Sequence, residues 1–291
     1  MNTGKYIFAQ VIDFIPRYQF DKLVKKYKGD WHAKELSCYN QLLQLLFGQI
    51  TCCDSLRDIC MCLEAHSGIL YHLGIRKHVT HSSLSRANEN RDYRIYEELG
   101  IYLIGIVRPM YSNTKVAEIT IDNVLYALDS TTISTSIVLA AWALGKYSKG
   151  AVKMHTLLDL RGSIPANIHI TDGIITNNFE ISALEVANLY RHRWDIEVFF
   201  KWVKQNIVVK TLWGYSENAV RTHLWVAIIA YLLIAKIKAD YKSPYSITEV
   251  TTLIRISALE KVDLRDLITK PKNSIIQKQN VKELTLFDDF Y

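Results

Sequence analysis

Three features of this 291-residue sequence predict an α+β fold. Apolar residues recur at helical spacing through roughly the first 112 positions, a stretch rich in Ile, Val, Thr and Tyr follows, and two helical patterns come after it. The length leaves room for one large domain or two modest ones. A hydrophobic content of 49% with 22% charged residues describes a folded, soluble chain and excludes a disordered one. The net charge of +6 and pI of about 8.9 are compatible with a nucleic-acid partner without establishing one.

The helical first part divides into patterns over 8–18, 37–48, 55–65 and 83–107. Asp54 or Ser55 is placed to cap the third, and Pro109 follows the last. Within this part, 56–63 reads as a helix, 74–80 as a turn region, and the segment HSSLSRANENRDYRIYEEL as a second helix. The second helix opens with Ser82, Ser83, Ser85, Arg86, Asn88, Asn90 and Arg91, the short polar, Asn and Arg side chains that a major-groove reading helix presents. Arg86 and Arg91 are the candidate DNA contacts there; an ordinary solvated helix start has the same composition.

Cys38, Cys52, Cys53, Cys60 and Cys62 are odd in number and crowded into one region, which fits reduced thiols. His66 lies nearby, but the CC and CxC spacings are not those of zinc ligands, so the cysteines read as small buried hydrophobes. Asp13 and Pro16 interrupt the apolar start, unlike a secretory signal. The longest apolar run, 224–235, is short for a bilayer span and reads as a buried helix. A cytoplasmic protein with no membrane partner is expected.

KVAEITIDNVLYALDSTTIST reads as strand, and AVKMHTLLDLRGSIPANIHITDG as two more strands joined at Arg161, Gly162 and Ser163. Asp129 closes the apolar stretch 125–128 and precedes Ser130, Thr131 and Thr132. An acid at a strand end beside hydroxyls is placed to project into a site; capping a turn is its ordinary alternative. The next segment starts with Ser182 and Glu185 as a capping box. Tyr190, Arg193, Glu197, Lys201 and Lys204 then follow at spacings of three, four, four and three, so they share one stripe of a helix. Leu189, Ile196, Phe200, Val203 and Ile207 form the core stripe. One acid among cations suits a carboxylate that holds a divalent metal while its neighbours grip phosphates; a solvated, salt-bridged face is the alternative. A very apolar helix over 220–239, helical pieces at 247–256 and 264–267, and a break at Lys270-Pro271-Lys272 complete the pattern, with the last twenty residues loosely ordered.

Tyr190, two residues, Arg193, three residues, Glu197, six residues, Lys204 resembles the YREK signature of insertion-sequence-four transposases, within the wider DDE class. The flanking words NNFEISALEVANLYRHRWDIEVFFKWVKQNI resemble that family's last catalytic helix, and the LDST word around Asp129 resembles its first acid. The first hundred residues resemble the helical domain of unknown function that precedes the catalytic domain in this group. The resemblance implies an RNase H-like core in which Asp129 and Glu197 are catalytic metal ligands. It implies that Tyr190, Arg193 and Lys204 contact transposon-end DNA, with Lys201 on the same stripe; Lys146, Lys149 and His155 lie in the segment that resembles the next two strands and are candidate phosphate contacts, solvated lysines being the ordinary alternative. It further implies two Mg²⁺ or Mn²⁺ ions, double-stranded DNA partners (terminal inverted repeats and target), a homo-oligomer on DNA, and a nucleoid-associated place in a bacterial cytoplasm.

Strand cleavage and transfer by two metals need three acids, one of them bridging both ions. The family's second acid, in an Asp-x-x-Tyr context, is missing: 25 positions separate Asp172 from Glu197, and no such word lies between them. An internal deletion with a junction near 173/174 accounts for this, and Asp172 is the acid that would stand in. The expected organisation is a helical, DNA-binding domain over 1–112, an incomplete RNase H-like core over 113–240, and a helical C-terminal tail over 241–291. The expected function is a degenerate insertion-sequence transposase; the alternative is a non-enzymatic DNA-binding protein that inhibits transposition.

Overall fold

In the computed structural model, the described residues are 4–31, 33, 35–77, 79–112, 126–134, 151–159, 161–171, 199–200 and 212–270, with backbone only at 126–130, 132–134, 151 and 171. They form a mixed helical and antiparallel architecture, as the α+β reading expects. The helices are α1 (Ile7–Ile12), α2 (Arg17–Lys26), α3 (Cys38–Thr51), α4 (Leu56–Ala65), a 3₁₀ helix (Ser67–Leu73), α5 (His81–Asn90) and α6 (Arg94–Met110). Strands β1 (Tyr126–Ser134), β2 (Ala151–Asp159) and β3 (Ile164–Thr171) follow, then α7 (Glu217–Asp240), α8 (Ile247–Ile256) and α9 (Leu264–Thr269).

Local chemistry sets the ends. Ser37, Ser55, Thr80, Ser216 and Asp263 each accept a backbone N–H as N-caps, and Ser246 with Glu249 closes a capping box. Two predicted helices are each two in the structure. The 8–18 pattern splits at Pro16, which lacks an N–H and stands at the N-cap of α2. The 83–107 pattern breaks at Arg91, whose backbone is extended. Pro109 lies inside the last turn of α6 rather than beyond it.

The three strands form one antiparallel meander in the order β1-β2-β3. Val152, Met154, Thr156 and Leu158 alternate onto the buried face of β2, and Ile164, Ile168 and Ile170 continue it on β3. A register shift after Leu157, opposite Asn167, brings Leu158 opposite Pro165, so Ala166 is the extra residue of a bulge.

Helix α7 is the centre of the packing, touching α1, α3, α5, α6 and α8. By length and composition its 24 residues suffice to cross a membrane, which the shorter 224–235 run did not, but 89% of its apolar window is buried inside this protein. Described residues from 1–112, 113–240 and the tail all enter one hydrophobic cluster. Helix α1 is tied to the tail through Ile7 N–H to Glu260 O and Phe8 N–H to Ala258 O, both 3.0 Å. Gly100 lets α6 approach α7: a Cβ there would lie 2.7 Å from the Trp225 ring. Gly100→Ala should therefore destabilise by about 1–3 kcal/mol through overpacking, although Ala is the better helix former. A urea midpoint at or above the wild-type value would contradict this close approach.

Candidate functional site

Asp129 is the fourth of nine residues in β1, not the end of a strand. Ser130, Thr131, Thr132 and Ile133 continue the extended backbone, since hydroxyl-bearing and β-branched residues suit a strand as well as a turn. Asp129 stands opposite Thr156, and Thr156 opposite Ile168. The Thr156 side chain is fully buried, and its hydroxyl has no hydrogen-bond partner among the described residues. His155 lies one position along, between Ser130 and His169.

The β2–β3 hairpin is fastened at its turn. Asp159 is buried at the end of β2; it accepts Arg108 Nε at 2.9 Å and Arg161 Nη2 at 2.7 Å. Burial alone would raise its carboxyl, but the Arg161 and Arg108 hydrogen bonds outweigh that and hold it below the usual carboxylate range. Gly162 sits where a Cβ would meet Tyr111 at 2.5 Å. Tyr231 of α7 donates to the Ser163 carbonyl at 2.7 Å, and Arg221, near the start of α7, donates to the Ile170 carbonyl at 3.0 Å. Strand β3 is thus held at both ends by α7 and runs antiparallel to it.

Phe199 and Phe200 are buried, and the Phe199 ring meets Tyr231 edge-on at 5.2 Å between centroids. Phe200 is where the core stripe predicts it; Phe199 is also inside. This anchors the chain two residues beyond Glu197 beside the helix that fastens the hairpin. The row of Asp129 lies three residues from the Tyr126–Asp159–Ile164 row at that same end, about 10 Å along the strands. Tyr190, Arg193, Glu197, Lys201, Lys204, Asp172, Lys146 and Lys149 lie outside the described residues, as does the 173/174 junction.

The N-terminal candidates separate. On α5, Ser82, Ser83, Arg86 and Asn90 are exposed, whereas Asn88 is buried. Asn88 accepts from Gln41 at 2.6 Å, and its carbonyl accepts from Asn218 of α7 at 2.8 Å. Arg91 is turned inward, with a side chain only 11% exposed. It donates to Gln41 at 2.7 Å and to the Leu36 carbonyl, and stands 3.9 Å from Asp30. It braces α3 against the α5–α6 junction, a different role from the DNA contact expected of it. Composition cannot distinguish the two roles, because an Arg just past a helix end serves either. Asn218 completes the brace by accepting the Tyr93 N–H at 3.1 Å.

All five cysteines are free thiols. Burial pushes Cys38 and Cys53 up to about 12 and Cys60 to about 11, so they stay protonated at neutral pH. Among the described residues, no three His, Cys, Asp or Glu side chains gather as a metal site.

Two stretches of the chain match known protein families. Residues 3–76 match the family model described as a domain of unknown function, DUF4372. Residues 174–233 match the model of the transposase DDE domain. The chain is 41% identical over 91 residues to the probable transposase for insertion sequence element IS5377 of Geobacillus stearothermophilus, covering 31% of this chain and 23% of that protein. It is 32% identical over 98 residues to a protein named as a transposase, y4zB, of Sinorhizobium fredii, covering 34% of this chain and 28% of that one. The chain thus spans about a quarter of the length of these curated relatives. No solved structure matches it. Over these stretches the chain is similar to the transposase DDE domain and to transposases of insertion sequences.

Proposed function

We propose that this chain is an internally shortened insertion-sequence transposase that holds double-stranded DNA and has lost strand cleavage. The observation that carries the reading is where the transposase-domain match begins: residue 174, the predicted junction, 23 positions before Glu197. That interval has no room for the helix, strand and second acid that the family resemblance requires. The three sequential antiparallel strands that precede it, with Asp129 within the first, support the reading of this part as the opening of an RNase H-like core.

In this reading Asp129 and Glu197 are the remaining catalytic acids and metal ligands, with Mg²⁺ or Mn²⁺ as the family's cation. Two carboxylates offer fewer oxygen ligands than a two-metal arrangement needs. No step through the metal is therefore assigned to this chain. Tyr190, Arg193, Lys201 and Lys204 grip the phosphates of element-end DNA, and Arg86 on α5 is the N-terminal contact. The helical segment 1–112 serves recognition, 113–240 is the shortened core, and 241–291 is the tail. The chain acts in a bacterial cytoplasm on terminal repeats and target DNA, as a homo-oligomer. The alternative reading is a non-enzymatic DNA-binding protein that inhibits full-length transposase.

Salt-dependent binding tests the grip. Arg193→Ala and Lys204→Ala should each weaken binding to an element-end duplex and lower the slope of log K against log salt by about one unit. Slopes equal to wild type in both variants would remove the phosphate-gripping role.

A further inference from the structure

Helix α2 presents an outward face that none of the preceding assignments uses. Its core face, Phe20, Leu23 and Val24, is buried. Tyr18, Lys22 and Lys25 follow at helical spacing on the opposite side, with Lys28 and Trp31 just beyond the C-terminus. Tyr18 is 74% and Trp31 68% exposed. The Lys22 ammonium lies 4.5 Å from the Tyr18 ring centroid, and the Lys28 ammonium 5.5 Å from that of Trp31. Arg17 is engaged by Asp21 at 2.9 Å and Lys26 by Glu98 at 2.7 Å. Lys22, Lys25 and Lys28 have no carboxylate partner among the described residues.

We infer that this face binds single-stranded DNA. Lys22, Lys25 and Lys28, which form no ion pair among the described residues while Asp21 on the same stripe is engaged by Arg17, are complementary to a run of phosphates, and two exposed rings beside them are platforms for unstacked bases. A duplex keeps its bases stacked inside and would leave those rings idle. An anionic membrane is the other partner for a basic amphipathic helix, but it needs a free apolar face, and that of α2 is already spent in the core. The inference rests on the DNA-acting reading above but not on the acids or the Glu197 stripe.

The test is fluorescence anisotropy with a labelled oligo(dT) of about 20 nucleotides, a duplex of equal length, and phosphatidylserine vesicles. The variants are Tyr18→Ser with Trp31→Ser, and Lys22→Gln with Lys25→Gln and Lys28→Gln. All five positions are exposed, so both variants should unfold at the wild-type temperature. The aromatic variant should lose about tenfold in oligo(dT) affinity at unchanged duplex affinity. The lysine variant should lower the oligo(dT) salt slope by about two units. Wild-type oligo(dT) affinity in the aromatic variant, or an equal loss on duplex, would overturn the inference. So would vesicle binding that depends on these residues while oligo(dT) binding does not. Failure here with the Arg193 and Lys204 slopes intact would leave the duplex-binding reading standing.

Discussion

Trp225→Ala should lower the unfolding free energy by about 3–5 kcal/mol. The Trp225 side chain is fully buried on α7, against the glycine that lets α6 come close. Removing it loses the transfer energy of an indole and leaves a cavity between two long helices that cannot close without unseating their other contacts. The expected signature in urea is a lower midpoint with an unchanged slope. A loss below about 1 kcal/mol would show that α6 and α7 collapse freely, and that the helices of the first part are not organised around α7.

The second large effect is at Asp159. Asp159→Ala removes the carboxylate that Arg108 and Arg161 share, and should cost about 2–3 kcal/mol, less than a fully buried pair because both guanidiniums reach water. The sign of the pH dependence follows from the lowered carboxyl. A group whose folded-state pKa is depressed contributes stability above its unfolded value, near 4, and loses it as pH falls through the folded value. The gap between wild type and Asp159→Asn should be full at neutral pH and shrink below about pH 4. A gap that widens in acid would reverse the assignment.

Much of the scaffold is legible in sequence because local chemistry writes it. The cap at Ser55, the turn at Arg161, Gly162 and Ser163, and the pieces at Ile247–Ile256 and Leu264–Thr269 all lie where spacing and cap residues place them. The strand count and order are legible for the same reason, since alternation in β2 and a Gly-containing turn leave a hairpin as the short connection. What the sequence hides is long-range. Arg91 and Asn88 look like groove-facing residues of a helix start, and only the packing of Gln41 and Asn218 against them turns them inward. Asp129 looks like a strand end because hydroxyl residues follow it, yet the pairing with β2 carries the strand on to Ser134. The basic face of α2 was hidden because Pro16 shifts the helix beyond the apolar pattern that first marks the region. The stripe from Tyr190 to Lys204 is an expectation from spacing that lies outside the described residues; of its neighbours, Phe199 and Phe200 are buried.

The central claim, a transposase chain that grips DNA and no longer cuts it, is tested most directly by nicking of an element-end duplex in Mn²⁺. The comparison is wild type against Asp129→Ala, Asp172→Ala and Glu197→Ala, with binding of the same duplex measured in parallel. The prediction is background cleavage in all four with duplex binding by the wild type intact, because two acids leave the charge of the transition state uncompensated. Robust wild-type cleavage abolished by Asp172→Ala would contradict it and make Asp172 the missing ligand. Robust cleavage lost only in Asp129→Ala and Glu197→Ala would contradict it equally and require the second acid from another subunit.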